Sequence, residues 1–147
     1  MKIFIAGSSK EIQIVSGFMQ KIRDLGHEIT YDWTNTVRLN GGAEKANDCS
    51  ADVLRSLELC FDNLHKGVIG ADLFWMIVPD SETIGGWVEY GYTSQTDIPI
   101  IISGNWKRTI YNTLAEKRFD THDEALSYIK SRFRSAPPRR RSTRRCV

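Results

Sequence analysis

Apolar positions along the chain fall into continuous runs and helical stripes that alternate. Residues 2–6, KIFIA, form a short apolar run ending at Gly7, Ser8 and Ser9, which predicts a buried strand followed by a turn. Ile12, Val15, Phe18, Met19, Ile22 and Leu25 then recur at helical spacing, with Gly26 placed to end the helix. HEITY, residues 27–31, is a second strand candidate. Residues 32–48 lack periodicity and contain Asn40, Gly41 and Gly42, so a long, mobile loop is expected there, of a length that is often functional. Ser50 and Asp52 are candidate caps for a helix over 50–68 ended by Gly70. Its apolar face is Val53, Leu54, Leu57, Cys60, Phe61, Leu64 and Val68, a face that suits either core or interface.

Residues 72–78, DLFWMIV, are the strongest strand, an unbroken apolar run behind one acid, as befits a central parallel strand covered on both faces. PDSETIGG (79–86) reads as a loop, WVEYGYTSQ (87–95) as a helix opening, and IPIIIS (98–103) as another buried strand. Residues 105–117 are ambiguous, and Arg118-Phe119 is a short edge-strand candidate. Thr121 and Glu124 have the spacing of a capping box for a last helix reaching about Phe133, with Ala125, Leu126, Ile129 and Phe133 on its apolar face. The alternation predicts an α/β fold: a single Rossmann-like or flavodoxin-like domain over 1–133, with a parallel sheet of about five strands and helices on both faces. Ligands of such sheets bind at the carboxyl ends of the strands, so the loops at 7–10, 79–89 and 103–108 should converge.

Composition narrows this picture. With 41% hydrophobic and 26% charged residues in 147, the chain is globular rather than disordered, and no apolar run is long enough to span a bilayer. The N-terminus reads as a strand rather than a signal peptide, so secretion is not expected. The three cysteines, Cys49, Cys60 and Cys146, form no CxxC or Cys/His cluster. Free thiols in a reducing cytoplasm are expected rather than disulfides or a zinc site. The net charge of +2 conceals an asymmetry: residues 134–147 hold six arginines and no acid, leaving fourteen basic against eighteen acidic residues, a net of −4, in the body. The tail is expected to be disordered, and nonspecific nucleic-acid contact through it is one reading of its arginines.

Three features carry candidate chemistry. Gly7-Ser8-Ser9-Lys10 joins a strand to a helix, where amides, hydroxyls and Lys10 would favour an anion, although neither GxGxxG nor a Walker loop is present. Thr83-Ile84-Gly85-Gly86-Trp87-Val88-Glu89-Tyr90-Gly91-Tyr92 follows the central strand. Gly85 and Gly86 would admit a ligand close to the backbone, and Glu89 among aromatic rings is what a sugar-directed nucleophile needs. Asp72 brings a carboxylate to the start of a buried strand, with Asp80 and Glu82 further acids nearby. Trp33, Trp87 and Trp106 are candidate walls of a base pocket, whereas Trp75 reads as core; His27, His65 and His122 are scattered and suggest no catalytic set.

Taken together, the strand into Gly-Ser, then GADLFWMIVPD, then GGWVEYGYTSQTDIPIIIS, resemble the nucleoside 2-deoxyribosyltransferase superfamily, which includes the 2′-deoxynucleoside 5′-monophosphate N-glycosidases. The resemblance implies that Glu89 attacks C1′ to form a glycosyl-enzyme intermediate and that Asp72 helps to hold substrate and catalytic groups. Gly7, Ser8, Lys10 and Thr83 would serve the 5′ end, with Gly85 and Gly86 in the substrate loop. Phe4 stands on the substrate side where a Tyr is common, so a hydroxyl that would position the nucleophile is missing. No metal or redox cofactor is implied. The partner is a small-molecule nucleoside or nucleotide, and a homodimer or larger homo-oligomer is implied. The rival expectation, motivated by Phe4, is a protein that binds a nucleotide or nucleotide-derived signal without cleaving it.

Overall fold

The computed structural model describes residues 1–50 and 52–133. The chain runs β1 (Lys2–Ala6), a 3₁₀ turn (Ser9–Glu11), α1 (Ile12–Asp24), β2 (Glu28–Ile29), α2 (Trp33–Leu39), α3 (Ala43–Asn47) and α4 (Val53–Asp62). A π-helical turn (Asn63–Val68) follows, then β3 (Leu73–Val78), α5 (Gly85–Thr93), β4 (Ile100–Gly104), 3₁₀ turns at Trp106–Arg108 and Ile110–Leu114, β5 (Lys117–Phe119) and α6 (His122–Arg132). All five strands are parallel, in the order β2-β1-β3-β4-β5. This is the doubly wound, flavodoxin-like order, and its direction reverses between β1 and β3.

The burial of β3 explains its central place. Every residue from Leu73 to Val78 is buried, so its unbroken apolar run is covered on both faces. On one face Trp75 meets Phe18 of α1 edge-on at 5.4 Å, and Phe18 meets His122 of α6 at 5.5 Å. On the other, Phe74 packs on Phe4 at 5.7 Å and on Tyr90 of α5 at 6.3 Å. Helices α1 and α6 thus cover one face, and α5 with the π turn covers the other. The buried hydroxyl of Ser103 accepts from Trp75 Nε1 (2.8 Å) and meets His122 Nδ1 (2.8 Å), tying β3, β4 and α6 together. Burial holds His122 below the usual imidazole range despite the nearby carboxylates of Asp123, Glu11 and Asp80. The capping box of Thr121 and Glu124 is formed at the start of α6.

Two expectations are corrected. Residues 32–48 are not a long loop but carry α2 and α3. Asp32 caps α2, and Trp33 and Val37, one turn apart, are both 7% exposed. Trp33 Nε1 also donates to the Ile5 carbonyl at 2.8 Å. Burial pushes the Asp32 carboxyl up, but hydrogen bonds from Thr34 and Arg23 and the Arg23 charge outweigh it and hold the group below its ordinary value. Second, the helix expected over 50–68 is α-helical only from Val53 to Asp62, capped by Asp52, and then widens into the π turn. The residues of 134–147, on which the tail was read, lie outside those described. Among the described residues, no helix is long and apolar enough to cross a membrane.

Candidate functional site

The switch point between β1 and β3 brings two loops together, because each strand ends at the same edge of the sheet and its chain leaves toward an opposite face. Hydrogen bonds lace these loops. The Thr83 hydroxyl donates to the Gly7 carbonyl (3.2 Å) and accepts from the Gly86 N–H (3.3 Å). The Ser8 hydroxyl donates to the Glu82 carbonyl (3.4 Å) and accepts from Ser81 Oγ (3.0 Å) and the Lys10 N–H (3.2 Å). Glu11 Oε1 accepts from the Ser81 N–H at 2.8 Å. Asn47 of α3 donates to Ser9 Oγ at 2.9 Å, so the segment expected to be mobile is tied to the first loop.

Two glycines in this lacing leave no room for a side chain. A Cβ on Gly7 would sit 2.6 Å from Val15 Cγ2, and one on Gly86 would sit 3.2 Å from the Gly7 carbonyl oxygen and 3.1 Å from Met76 Cε. Helix α5 therefore starts directly against the end of β1. Gly85, by contrast, is exposed, with open space where a side chain would stand.

Glu89 lies one turn beyond Gly86, on the same face of α5, the face that meets β1. It is 8% exposed, and its side chain has no hydrogen-bond partner among the described residues. Burial alone raises its carboxyl from 4.5 to about 8, so at neutral pH the group is mostly protonated. A buried acid with a strongly shifted pKa at a switch point is a candidate for chemistry on physical grounds.

The structure gathers Gly7, Ser8, Thr83, Gly86 and Glu89 at this end of the sheet, with Lys10 exposed beside them. Phe4 is fully buried in the layer beneath, its ring against Phe74 and against Gly67 of the π turn. Asp72 is not brought to the group. It is exposed at the amino end of β3, where its carboxylate accepts from the Lys2 N–H at 2.7 Å and its N–H donates to the Lys2 carbonyl at 2.8 Å. Six strand residues separate it from the switch point, roughly 20 Å along β3. Asp80 and Glu82 are the acids at the carboxyl end, both exposed.

On the other side of α5 a cleft of about 750 Å³ opens toward the 3₁₀ turns after β4, walled by Thr83, Ile84, Trp87, Tyr90, Arg108 and Tyr111. Arg108 Nη1 donates to the Pro79 carbonyl at 3.0 Å, and the Tyr90 hydroxyl donates to the Tyr111 carbonyl at 2.9 Å, which fixes the cleft's far wall. Trp87 lines it, whereas Trp33 is core and Trp106 donates to Asp120 at 3.0 Å outside it. Glu89 does not line this cleft; Thr83 borders both it and the Gly7 loop.

Sequence reasoning passed over Asn63. Its Oδ1 is buried without a partner in the π turn that packs against α5. The signal was faint: a polar residue preceding Leu64 in a helical stripe, where only the widening to a π turn sets it inward. Among the described residues, no cluster of three or more His, Cys, Asp or Glu could hold a metal ion, and Cys49 and Cys60 are free and exposed. No family model matches the chain, and neither the curated proteins nor the solved structures compared with it contain a match.

Proposed function

We propose that the chain acts on the N-glycosidic bond of a (deoxy)nucleoside or its 5′-monophosphate, in the manner of the nucleoside 2-deoxyribosyltransferase superfamily that its sequence resembles. The observation that carries this reading is Glu89, a buried carboxyl with no hydrogen-bond partner, presented one turn beyond the glycine that seats α5 on the β1 loop. Once ionised, its oxygen attacks C1′. The C1′–N bond breaks, the base leaves with the electron pair and takes up a proton, and a glycosyl ester of Glu89 remains. Water or a second base then attacks C1′ and releases the carboxylate. Asp80 and Glu82 stand at the correct end of the sheet to protonate the departing base, which Asp72 does not. Gly7, Ser8, Lys10 and Thr83 would receive the 5′ end. Under this reading the working assembly is a homodimer or larger, and the free thiols accord with a cytoplasmic setting.

A second reading, a nucleotide-binding protein without turnover, is favoured by one observation. Phe4 supplies only an aromatic ring beneath the switch point, so no phenolic hydroxyl is there to orient Glu89. The test is to incubate the protein with deoxynucleosides and deoxynucleoside monophosphates, with and without a second free base, and to separate the products. Free base without an acceptor identifies a hydrolase. A new nucleoside formed only with the acceptor identifies a transferase. Tight binding with no product overturns the catalytic reading in favour of the second.

A further inference from the structure

The charges of the chain are divided along its length. Residues 1–104 hold eight basic and fourteen acidic residues, a net of −6, and residues 105–147 hold twelve and four, a net of +8. The fold turns that division of sequence into one of space. The described part of the basic segment forms the 3₁₀ turns after β4, then β5 and α6, and β5 is the outermost strand on its side of the sheet. Lys107, Arg108, Lys117, Arg118, Lys130 and Arg132 are all exposed there. The four acids of the same region are already engaged. Asp120 pairs with Lys107 (3.4 Å) and accepts from Trp106, and Glu116 pairs with Arg132 (3.8 Å). Asp123 pairs with Lys21 of α1 (3.2 Å), and Glu124 closes the capping box. Among the described residues, Arg108, Lys117, Arg118 and Lys130 have no carboxylate partner.

Aromatic rings are interleaved with these cations. Lys107 and Arg118 lie 5.3 and 5.7 Å from the centre of the Trp106 ring, and Arg132 lies 5.6 and 5.8 Å from those of Tyr128 and Phe133. Phe119 of β5 meets Tyr128 at 5.3 Å, which links β5 to α6. All four rings are half-buried, with one part packed on the core and the rest at the surface. Cations set between ring faces suit a polymer that alternates phosphates with flat, unpaired bases, because the phosphates take the cations and the bases stack on the rings. A bilayer surface asks instead for a basic helix with its apolar side chains uncovered. Helix α6 buries Ala125 and Ile129 and exposes no large apolar side chain. We propose that the β5–α6 edge is a docking surface for single-stranded nucleic acid, bound without sequence preference. Residues 134–147 follow α6 directly in sequence and add six arginines and no acid to the same partner. The proposal is independent of the reaction proposed for Glu89.

The test uses the full chain and a fluorescein-labelled oligothymidylate of about twenty nucleotides, read by anisotropy. The logarithm of the association constant should fall linearly with that of salt concentration, by about 0.7 per phosphate neutralised. A duplex of the same length should bind several-fold more weakly at equal salt, because its bases cannot stack on the rings. Lys117→Glu with Lys130→Glu should weaken binding at least ~10-fold and make the salt slope shallower. Lys2→Glu with Lys45→Glu changes the net charge equally but lies elsewhere, and should weaken binding by less than ~3-fold. Circular dichroism should be unchanged in both pairs, since all four side chains are exposed. Trp106→Phe should reduce the quenching of tryptophan fluorescence that the oligonucleotide causes. Absence of binding at low salt overturns the proposal. So does an equal loss in the two charge-matched pairs, which would mean that net charge alone is read. Binding that vanishes when the six arginines of 134–147 become Gln and ignores the edge pair also overturns it. So does a preference for the duplex, or for vesicles of phosphatidylcholine and phosphatidylserine.

Discussion

At the switch point a carboxyl group is buried, and on α4 four large apolar side chains are exposed: Glu89 is 8% accessible and Leu54 is 75% accessible. Both reverse the usual distribution, and both departures are informative for that reason. They differ in how the rest of the chain responds. Around Glu89 the structure is closed and laced, with Thr83, Ser8 and Gly86 drawing α5 onto β1. Around α4 no described residue closes in, and none of its ten residues is buried. Glu89 is held in spite of its burial penalty. The α4 stripe is left without cover by the other described residues.

The largest expected effect tests the first half of this contrast. Glu89→Gln keeps the shape and removes the nucleophile, so turnover should fall by at least ~10³-fold in the product assay. Unchanged turnover would show that the burial of Glu89 serves the fold only. In the wild-type chain kcat/KM should climb with pH and level off at about 8, because only the ionised carboxyl attacks. A fall above pH 8 instead would make Glu89 a proton donor.

The same group should leave a stability signature of the opposite kind. Its folded pKa is raised, so between 4.5 and about 8 the folded chain keeps a proton that the unfolded chain has lost. Stability falls as pH rises through that window, and the full penalty stands above pH 8. Glu89→Gln should therefore match wild type near pH 4 and be more stable at pH 9, by up to about 5 kcal/mol at 1.36 kcal/mol per pKa unit, measured by urea melts. Equal stability at both pH values would mean that the carboxyl is solvated.

The contrast between regions is next sharpened by deletion. Phe74 is fully buried between Phe4 and Tyr90, and Phe74→Ala should lower unfolding free energy by about 3–5 kcal/mol. Leu57→Ala should change it by less than ~0.5 kcal/mol, because Leu57 is 64% exposed. A large loss at Leu57 would mean that α4 turns inward. Between these lies Gly7→Ala, where the added methyl meets Val15 at 2.6 Å and should cost about 1–3 kcal/mol.

What the residue pattern discloses follows from how much signal each element carries. The β3 run is six apolar residues long and the capping box needs only Thr121 and Glu124, so both are legible locally. The place of the switch point follows from the order of strands, and with it the meeting of Gly7 and Thr83. Helix α2 is hidden because its anchorage is two residues, Trp33 and Val37, and one indole hydrogen bond to Ile5 twenty-eight positions away. Asp72 looks like a site residue because a carboxylate before an apolar run is costly if buried. The structure relieves that cost by exposure and a backbone partner at the amino end, the end to which its place before the apolar run already assigns it and opposite to the end where the loops converge. The α4 stripe is fully legible as a stripe; that the described residues leave it uncovered is a fact of tertiary packing.

The smallest effect separates lacing from ligand binding at Thr83. Its hydroxyl joins the Gly7 carbonyl to the Gly86 N–H, and Thr83→Val removes that link while keeping the shape. Each of the two backbone groups is left a partner short, so stability should drop by about 1 kcal/mol. If lacing is all that Thr83 does, KM should rise by the same factor for a deoxynucleoside and for its 5′-monophosphate, since the loop shifts alike for both. If the hydroxyl also meets the 5′-phosphate, a charge-assisted bond is lost for the monophosphate alone, and its KM should rise several-fold more. Thr83→Ser, which restores the hydroxyl without the methyl, should recover most of the difference. A rise confined to the free nucleoside would place the 5′ end elsewhere and leave Thr83 as the hinge between the Gly7 loop and the cleft walled by Trp87.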